Sequence, residues 1–287
     1  MDSKSSPLQT FSRRQFFAFS GLATAGALVA GSTYLYINDE SEQLSIEKIT
    51  LPIRGLAPSL DGFRIVQLSD YHLYPLTQLG IVERSVTLAN ELNPDLIVLT
   101  GDYVWHEVEA IFDLAPALDK LNAKHGVFAI NGNHEIWTDP KVIQAGFAQT
   151  SIPLMINESV TISEGNGSFI LTGLDDGWSG EPDLDTAVQN SPNDIPIVLL
   201  MHEPDLADQY SLDPRIVLQL AGHSHGGQIR FPKVGAPVLP YLGRKYDMGL
   251  YQVNEMWLYT NRGIGVTNEP IRFNCPPEIT EITLTRM

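Results

Sequence analysis

Short apolar runs, bounded by polar, glycine- or proline-bearing stretches, recur along this chain and predict more strands than helices. Residues 44–51 partly alternate apolar and polar positions, as a half-exposed strand does. Residues 62–69 predict a second strand. Residues 95–100 hold a continuous apolar run, expected of a strand buried on both faces. Further strands are predicted at 126–130, 195–201 and 216–220. Helices are predicted over 77–92, stopped by Asn93-Pro94, over 108–123, and over 140–149, where Pro140 suits a first turn. After Ser151 come short strands at 159–163 and 168–173, flanking the turn Gly165-Asn166-Gly167, and a short helix at 183–189. The tail adds strands at 249–253, 256–259 and 279–285, and no internal repeat is present. Strands interleaved with helices predict an α/β domain.

Five of the predicted strands end in polar residues of one chemical kind: Asp70 and His72, then Asp102, then Asn133 and His134, then His202, then His223 and His225. Ligands in α/β proteins gather where strands end. Five of the seven histidines fall at these ends, too many for chance placement. The last pair lies in Gly222-His223-Ser224-His225-Gly226; on a strand end, residues two apart share a face, and neutral imidazoles held there suit a metal. A polar loop would explain that pair taken alone. The earlier strand ends supply the carboxylates, amide and imidazoles it lacks. His125, beside Gly126, is expected to interact with a helix C-terminus. His106 follows Trp105, and its place relative to the cleft stays open.

Composition narrows the function. The 287 residues are 43% hydrophobic, enough for a substantial core, and 18 Lys+Arg against 34 Asp+Glu give a formal charge of −16. Such a surface repels nucleic acid, so no nucleic-acid partner is expected. A phosphorylated substrate would need local positive charge, which bound cations supply. The single cysteine, Cys275, excludes an intrachain disulfide and is expected to be buried. At the N-terminus, Lys4, Arg13 and Arg14 precede an uncharged run that reaches Asn38. That is the layout of an export signal or a membrane anchor. Ser12-Arg13-Arg14-Gln15-Phe16-Phe17 resembles the twin-arginine export motif. The expected organisation is a signal or anchor at 1–38, a polar linker at 39–43 and a folded domain at 44–287. Export by the twin-arginine machinery, to the periplasm or the outer face of the cytoplasmic membrane, follows as an expectation, with retention as an anchor favoured over cleavage.

In this order, Asp70-x-His72, Gly101-Asp102, Gly132-Asn133-His134-Glu135, His202 and Gly222-His223-x-His225 resemble the signature of the calcineurin-like metallophosphoesterases. Tyr246, Gly249-Leu250-Tyr251 and the stretch from Arg272 to Ile279 resemble the exported or membrane-anchored bacterial members. The resemblance implies a sandwich of two mixed β-sheets flanked by helices. It implies two divalent ions, manganese, iron or zinc: Asp70, His72 and His225 on the first, Asn133, His202 and His223 on the second, and Asp102 bridging with one oxygen to each. His134 would contact the phosphate and protonate the leaving oxygen rather than bind metal. The reaction implied is hydrolysis of a phosphodiester or pyrophosphate bond by a two-metal-activated hydroxide, with ions about 3.5–4 Å apart. Some similar members cleave the pyrophosphate of UDP-diacylglucosamine, and an anchored enzyme would suit such a lipid-linked substrate. A phosphomonoesterase of the same fold, or a metal-binding scaffold without turnover, are the alternatives. An amidase or lactamase would need a denser His-x-His-x-Asp cluster, which the chain lacks.

Overall fold

A computed structural model describes residues 13–287, so Lys4 and Ser12 of the basic N-terminal stretch lie outside the described residues. Helix α1 (Arg13–Ile37) forms from the uncharged run and belongs to a unit that ends at Asp39; the remaining unit runs from Glu40 to Met287. No helix among the described residues is long and apolar enough to cross a membrane, which does not support the expected anchor. The run is diluted by Gly21, Gly26, Gly31, Ser20, Thr24, Ser32 and Thr33, which carry little or no apolar surface. The expected linker is also shorter than its polarity suggested. Glu40 is tied into the folded unit, with its N–H donating to the Arg272 carbonyl (2.8 Å) and its Oε2 accepting from Cys275 N (3.0 Å).

The folded unit contains β1 (Ser45–Ile53), β2 (Arg64–Leu68), α2 (Leu79–Glu91), β3 (Leu96–Leu99), α3 (Ile111–Leu118), β4 (Val127–Ile130), α4 (Asn133–Trp137), α5 (Pro140–Phe147), β5 (Leu154–Met155), β6 (Glu158–Glu164), β7 (Gly167–Gly173), α6 (Leu184–Val188), β8 (Ile197–Leu200), α7 (Ala207–Tyr210), β9 (Ile216–Ala221), β10 (Gly249–Val253), β11 (Met256–Thr260) and β12 (Glu278–Arg286). They form two six-stranded sheets, in the orders β1-β12-β2-β3-β4-β5 and β10-β11-β9-β8-β7-β6. Both are mixed: β2, β3, β4 and β5 run parallel while β12 opposes β2, and β7, β8, β9 and β11 run parallel while β6 and β10 oppose their neighbours.

Alternation along the strands explains the continuous apolar runs. In β3, Leu96 and Val98 face the layer between the sheets, where they join Leu171, Val198, Leu218 and Leu220 from the other sheet. Ile97 and Leu99 face outward and are covered by Val82, Val86, Leu114 and Ile143 of α2, α3 and α5. On the far side, Ile197, Leu199 and Leu258 pack under Ala187, Ala207 and Tyr210. Each central strand therefore carries two buried faces. At one end of the sandwich Gln67 of β2 links the sheets, its Nε2 donating to Thr100 Oγ1 (3.0 Å) and to the Ala221 carbonyl beyond the interlayer (2.9 Å). That end carries all five polar strand termini.

Candidate metal centre

Loops leaving β2, β3, β4, β8 and β9 bring Asp70, His72, Asp102, Asn133, His134, His202, His223 and His225 together, and all eight are buried. The positions depend on unusual backbone. Asp70 (φ 52°), His72 (φ 43°), Asp102 (φ 56°), His223 (φ 71°) and His225 (φ 52°) are all left-handed although none is glycine. Such strain is costly and concentrates at functional sites. The two histidines of the last motif are therefore not neighbours on a pleated strand, as expected from their spacing. The strand ends at Ala221, and the loop turns each ring separately. Two glycines permit the close approach. A Cβ on Gly101 (φ 96°) would lie 2.6 Å from Gly132 N and 2.8 Å from His202 Nδ1, and one on Gly222 would collide with Ser69 Oγ and Asp70 Oδ2.

The loops lock one another through carboxylates. Asp70 Oδ1 and Oδ2 accept from His223 N (2.9 and 3.1 Å), and Asp102 Oδ1 accepts from His134 N (3.0 Å). Glu135 has no role in the sequence reading, yet it is fully buried and accepts three backbone N–H groups: Asp102 N and Gly132 N on Oε2, and Tyr103 N on Oε1, each at 2.8 Å. Burial, then the nearby Asp102 carboxylate, push its pKa up to about 8 against those donors. Only the Glu after the Asn-His pair could have signalled this, and spacing alone assigns it nothing.

Ligand-type atoms of Asp70, His72 and His225 lie within 4.8 Å of one another, as do those of Asp102, His202 and His223. The two groups share no residue. Asp102 stands between them: its Oδ2 is 3.4 Å from His72 Nε2 and 3.1 Å from His202 Nε2. Of the two Asp102 oxygens, Oδ2 thus faces both groups while Oδ1 is held by His134 N, which differs from the expected one oxygen per ion. A third group, His72, Asp102 and His134, reuses members of the first two. His134 Nδ1 donates to the Trp105 carbonyl (3.0 Å), leaving Nε2 available to the cavity.

The donor set fits divalent ions. His72 Nε2 and His225 Nε2 stand 2.8 Å apart, a separation at which two lone pairs repel unless a proton or cation intervenes. His223 Nε2 donates to the Tyr241 carbonyl (2.7 Å), which leaves Nδ1 as the open nitrogen, buried and without a hydrogen-bond partner. Asn133 Oδ1 is likewise buried and unpartnered. His202 Nδ1 donates to the Thr100 carbonyl (2.6 Å), the kind of outer contact that orients a ligating imidazole. Burial lowers the pKa of His223 to about 4, so its ring is neutral at pH 7. Burial would also discharge His202, but the Asp102 and Asp70 carboxylates outweigh it and hold its pKa well above the ordinary histidine value. For Asp70 burial raises the pKa, and the His225 and His202 rings more than offset it, bringing it down to about 2.

The remaining histidines, the cysteine and the side chains around the site resolve simply. His125 lies beyond α3 and pairs with Glu164 (2.8 Å) instead of capping a helix. His106 is exposed and stacks at a tilt on Trp105 (4.7 Å). Tyr71 and Tyr103 pack beneath the site, whereas Trp137 lines its cavity. Arg230 pairs with Asp247, Lys245 pairs with Asp208, and neither they nor Lys233 and Arg244 line the cavity. Cys275 is buried.

This chain belongs to the calcineurin-like phosphoesterase family, which it matches over residues 63–227. It is 36% identical over 286 residues to the uncharacterized metallophosphoesterase YkuE of Bacillus subtilis (strain 168), covering 96% of this chain and 99% of that protein. It is 31% identical over 277 residues to the phosphodiesterase YaeI of Escherichia coli (strain K12), covering 95% and 99%. Its fold is also similar to that of TT1561 of Thermus thermophilus, with a TM-score of 0.50 at 12% identity over 71% of this chain and 90% of that one.

Proposed function

We propose that this metallophosphoesterase is a phosphodiesterase working with two divalent ions. Asp70, His72 and His225 would hold one ion, Asn133, His202 and His223 the other, and Asp102 would touch both. The observation that carries the reading is the pair of buried ligand groups with no member in common, joined by Asp102 of the second, whose Oδ2 also reaches His72 of the first. Manganese, iron and zinc all suit a set of imidazoles, carboxylates and one amide oxygen. Such ions, when bound, polarise phosphoryl oxygens and acidify water.

The chain's own residues do the rest. Imidazoles and Asn133 keep the ligand set low in negative charge, so an anionic ester can enter an otherwise acidic protein. Because Nδ1 of His134 is committed to Trp105, its Nε2 is placed to give a proton to the departing oxygen when the ring is charged. A water oxygen forms the new bond to phosphorus, one P–O ester bond breaks, His134 supplies the proton to the alcohol, and the water's proton passes to solvent. The sequence similarity to a protein named as a phosphodiesterase supports a diester substrate over a monoester.

The reading extends to location: the paired Arg13-Arg14 before an uncharged run supports export by the twin-arginine route, with the enzyme acting outside the cytoplasmic membrane. A panel of phosphomonoesters, phosphodiesters and nucleotide pyrophosphates, assayed with Mn and with Zn, tests the reaction. Diesters are expected to turn over fastest, and turnover confined to monoesters would reject the diesterase reading.

A further inference from the structure

The ligand groups open into a cavity of about 440 Å³, within the range of small-molecule sites. One side of it is the metal-ligand cluster. Beyond it the lining is largely apolar, led by Trp137, Trp178, Val238 and Leu239, with the neutral Gln228, Thr267 and Asn268 among them. Among the described residues that line it there is no Lys or Arg, and Glu269 contributes a carboxylate. The apolar side chains do not hide from water: Trp137 is 49% exposed, Trp178 38% and Val238 75%. Apolar groups clustered at a cavity mouth, unlike single ones scattered over a surface, mark a binding site.

The wall is preformed. Trp178 meets Trp137 edge-on at 4.8 Å, His223 at 5.8 Å and Tyr241 at 5.5 Å, while Trp137 Nε1 donates to Ser179 Oγ (2.7 Å). The turn that carries Trp178 is pinned on both sides. Gly177 N donates to Glu203 Oε2 (2.8 Å), and Gly180 N donates to Asp176 Oδ2 (3.1 Å). Glu203 directly follows His202, so the indole is fixed relative to the ligand cluster.

We propose that this wall is the subsite for the apolar substituent of a singly charged phosphodiester, with Trp178, Val238 and Leu239 determining specificity. The inference rests on the diesterase reading and departs from the pyrophosphate expectation. A second phosphate beside the reacting one would meet indole, aliphatic side chains, the neutral Gln228, Thr267 and Asn268, and the Glu269 carboxylate, with no side-chain cation to compensate it, and an uncompensated charge is costly to desolvate. An alkyl or acyl chain loses nothing there and removes its own surface and the wall's from water.

The test uses the full-length, Mn-loaded protein and a series of alkyl p-nitrophenyl phosphates from methyl to dodecyl, all with one leaving group. The expected kcat/KM rises by about two- to fourfold per methylene until the chain outgrows the cavity. In Trp178→Ala and in Val238→Asp the rise flattens. Val238 is mostly exposed, so its substitution leaves folding intact, as unfolding midpoint and metal content will verify. Assays with monomeric esters, and with a long-chain ester carried in phosphatidylcholine vesicles, separate a soluble ester from a membrane lipid as the source of the chain. Diester turnover with no chain-length dependence would overturn the apolar subsite and leave the diesterase reading standing; so would a steep series that both variants retain. Absence of turnover at every chain length would overturn both.

Discussion

Asp102 and His134 are neighbours joined by a hydrogen bond, yet their substitutions should have different consequences. Asp102→Ala removes the oxygen that stands nearest to both ligand groups and should lose metal and activity together, as metal analysis beside a diester assay will report. His134→Ala should keep the metal content and lower kcat by about 10²–10⁴-fold. His223 and His225 are separated by one residue but sit in different ligand groups. His223→Ala and His225→Ala should therefore each lower metal stoichiometry while affecting different sites, distinguishable by which of two binding steps disappears in a metal titration; loss of the same step in both would refute the division. The Asp102 and Asp70 carboxylates outweigh burial and raise the pKa of His202 above the ordinary histidine value, so a proton on this ring competes with a cation for the site. Metal loading should accordingly release protons from the site, read as a calorimetric heat that varies with buffer ionisation enthalpy; a heat independent of the buffer would contradict the competition.

Short loops hold the site, and Glu135 at the N-terminal turn of α4 holds the loops. Glu135→Ala would leave three buried N–H groups without an acceptor, each costing about 1–3 kcal/mol. The variant should show a sharply lower denaturation midpoint and poor metal retention; wild-type stability would contradict the role. The strands were legible in the sequence because β3, β8 and β9 bury both faces and so read as apolar runs whose polar ends line up. Helix α4 was not. Its five residues show no helical periodicity, since Asn133, His134 and Glu135 are all turned inward for the site. The left-handed backbone at Asp70, His72 and Asp102 was also invisible, because the enrichment of aspartate and histidine at positive φ is too small to mark a single position. The site's membership could be read from residue type and order. Trp178 of the cavity wall could not, since it lies far along the chain from each motif and no pattern marks it.

At the scale of the whole molecule, a chain of formal charge −16 receives an anion only where cations are gathered. Export sits at this scale too. Replacing Arg13 and Arg14 together with lysine should trap the protein in the cytoplasm by cell fractionation; normal export of that variant would remove the twin-arginine assignment. The chemistry depends most on one claim, that the two buried ligand groups hold two ions needed for catalysis. Exhaustive chelation followed by titration with Mn or Zn, with diester hydrolysis followed at each step, addresses it directly. Two ions should bind per chain, with activity lost on removal and restored on refilling. Full activity in the metal-free protein would contradict the account.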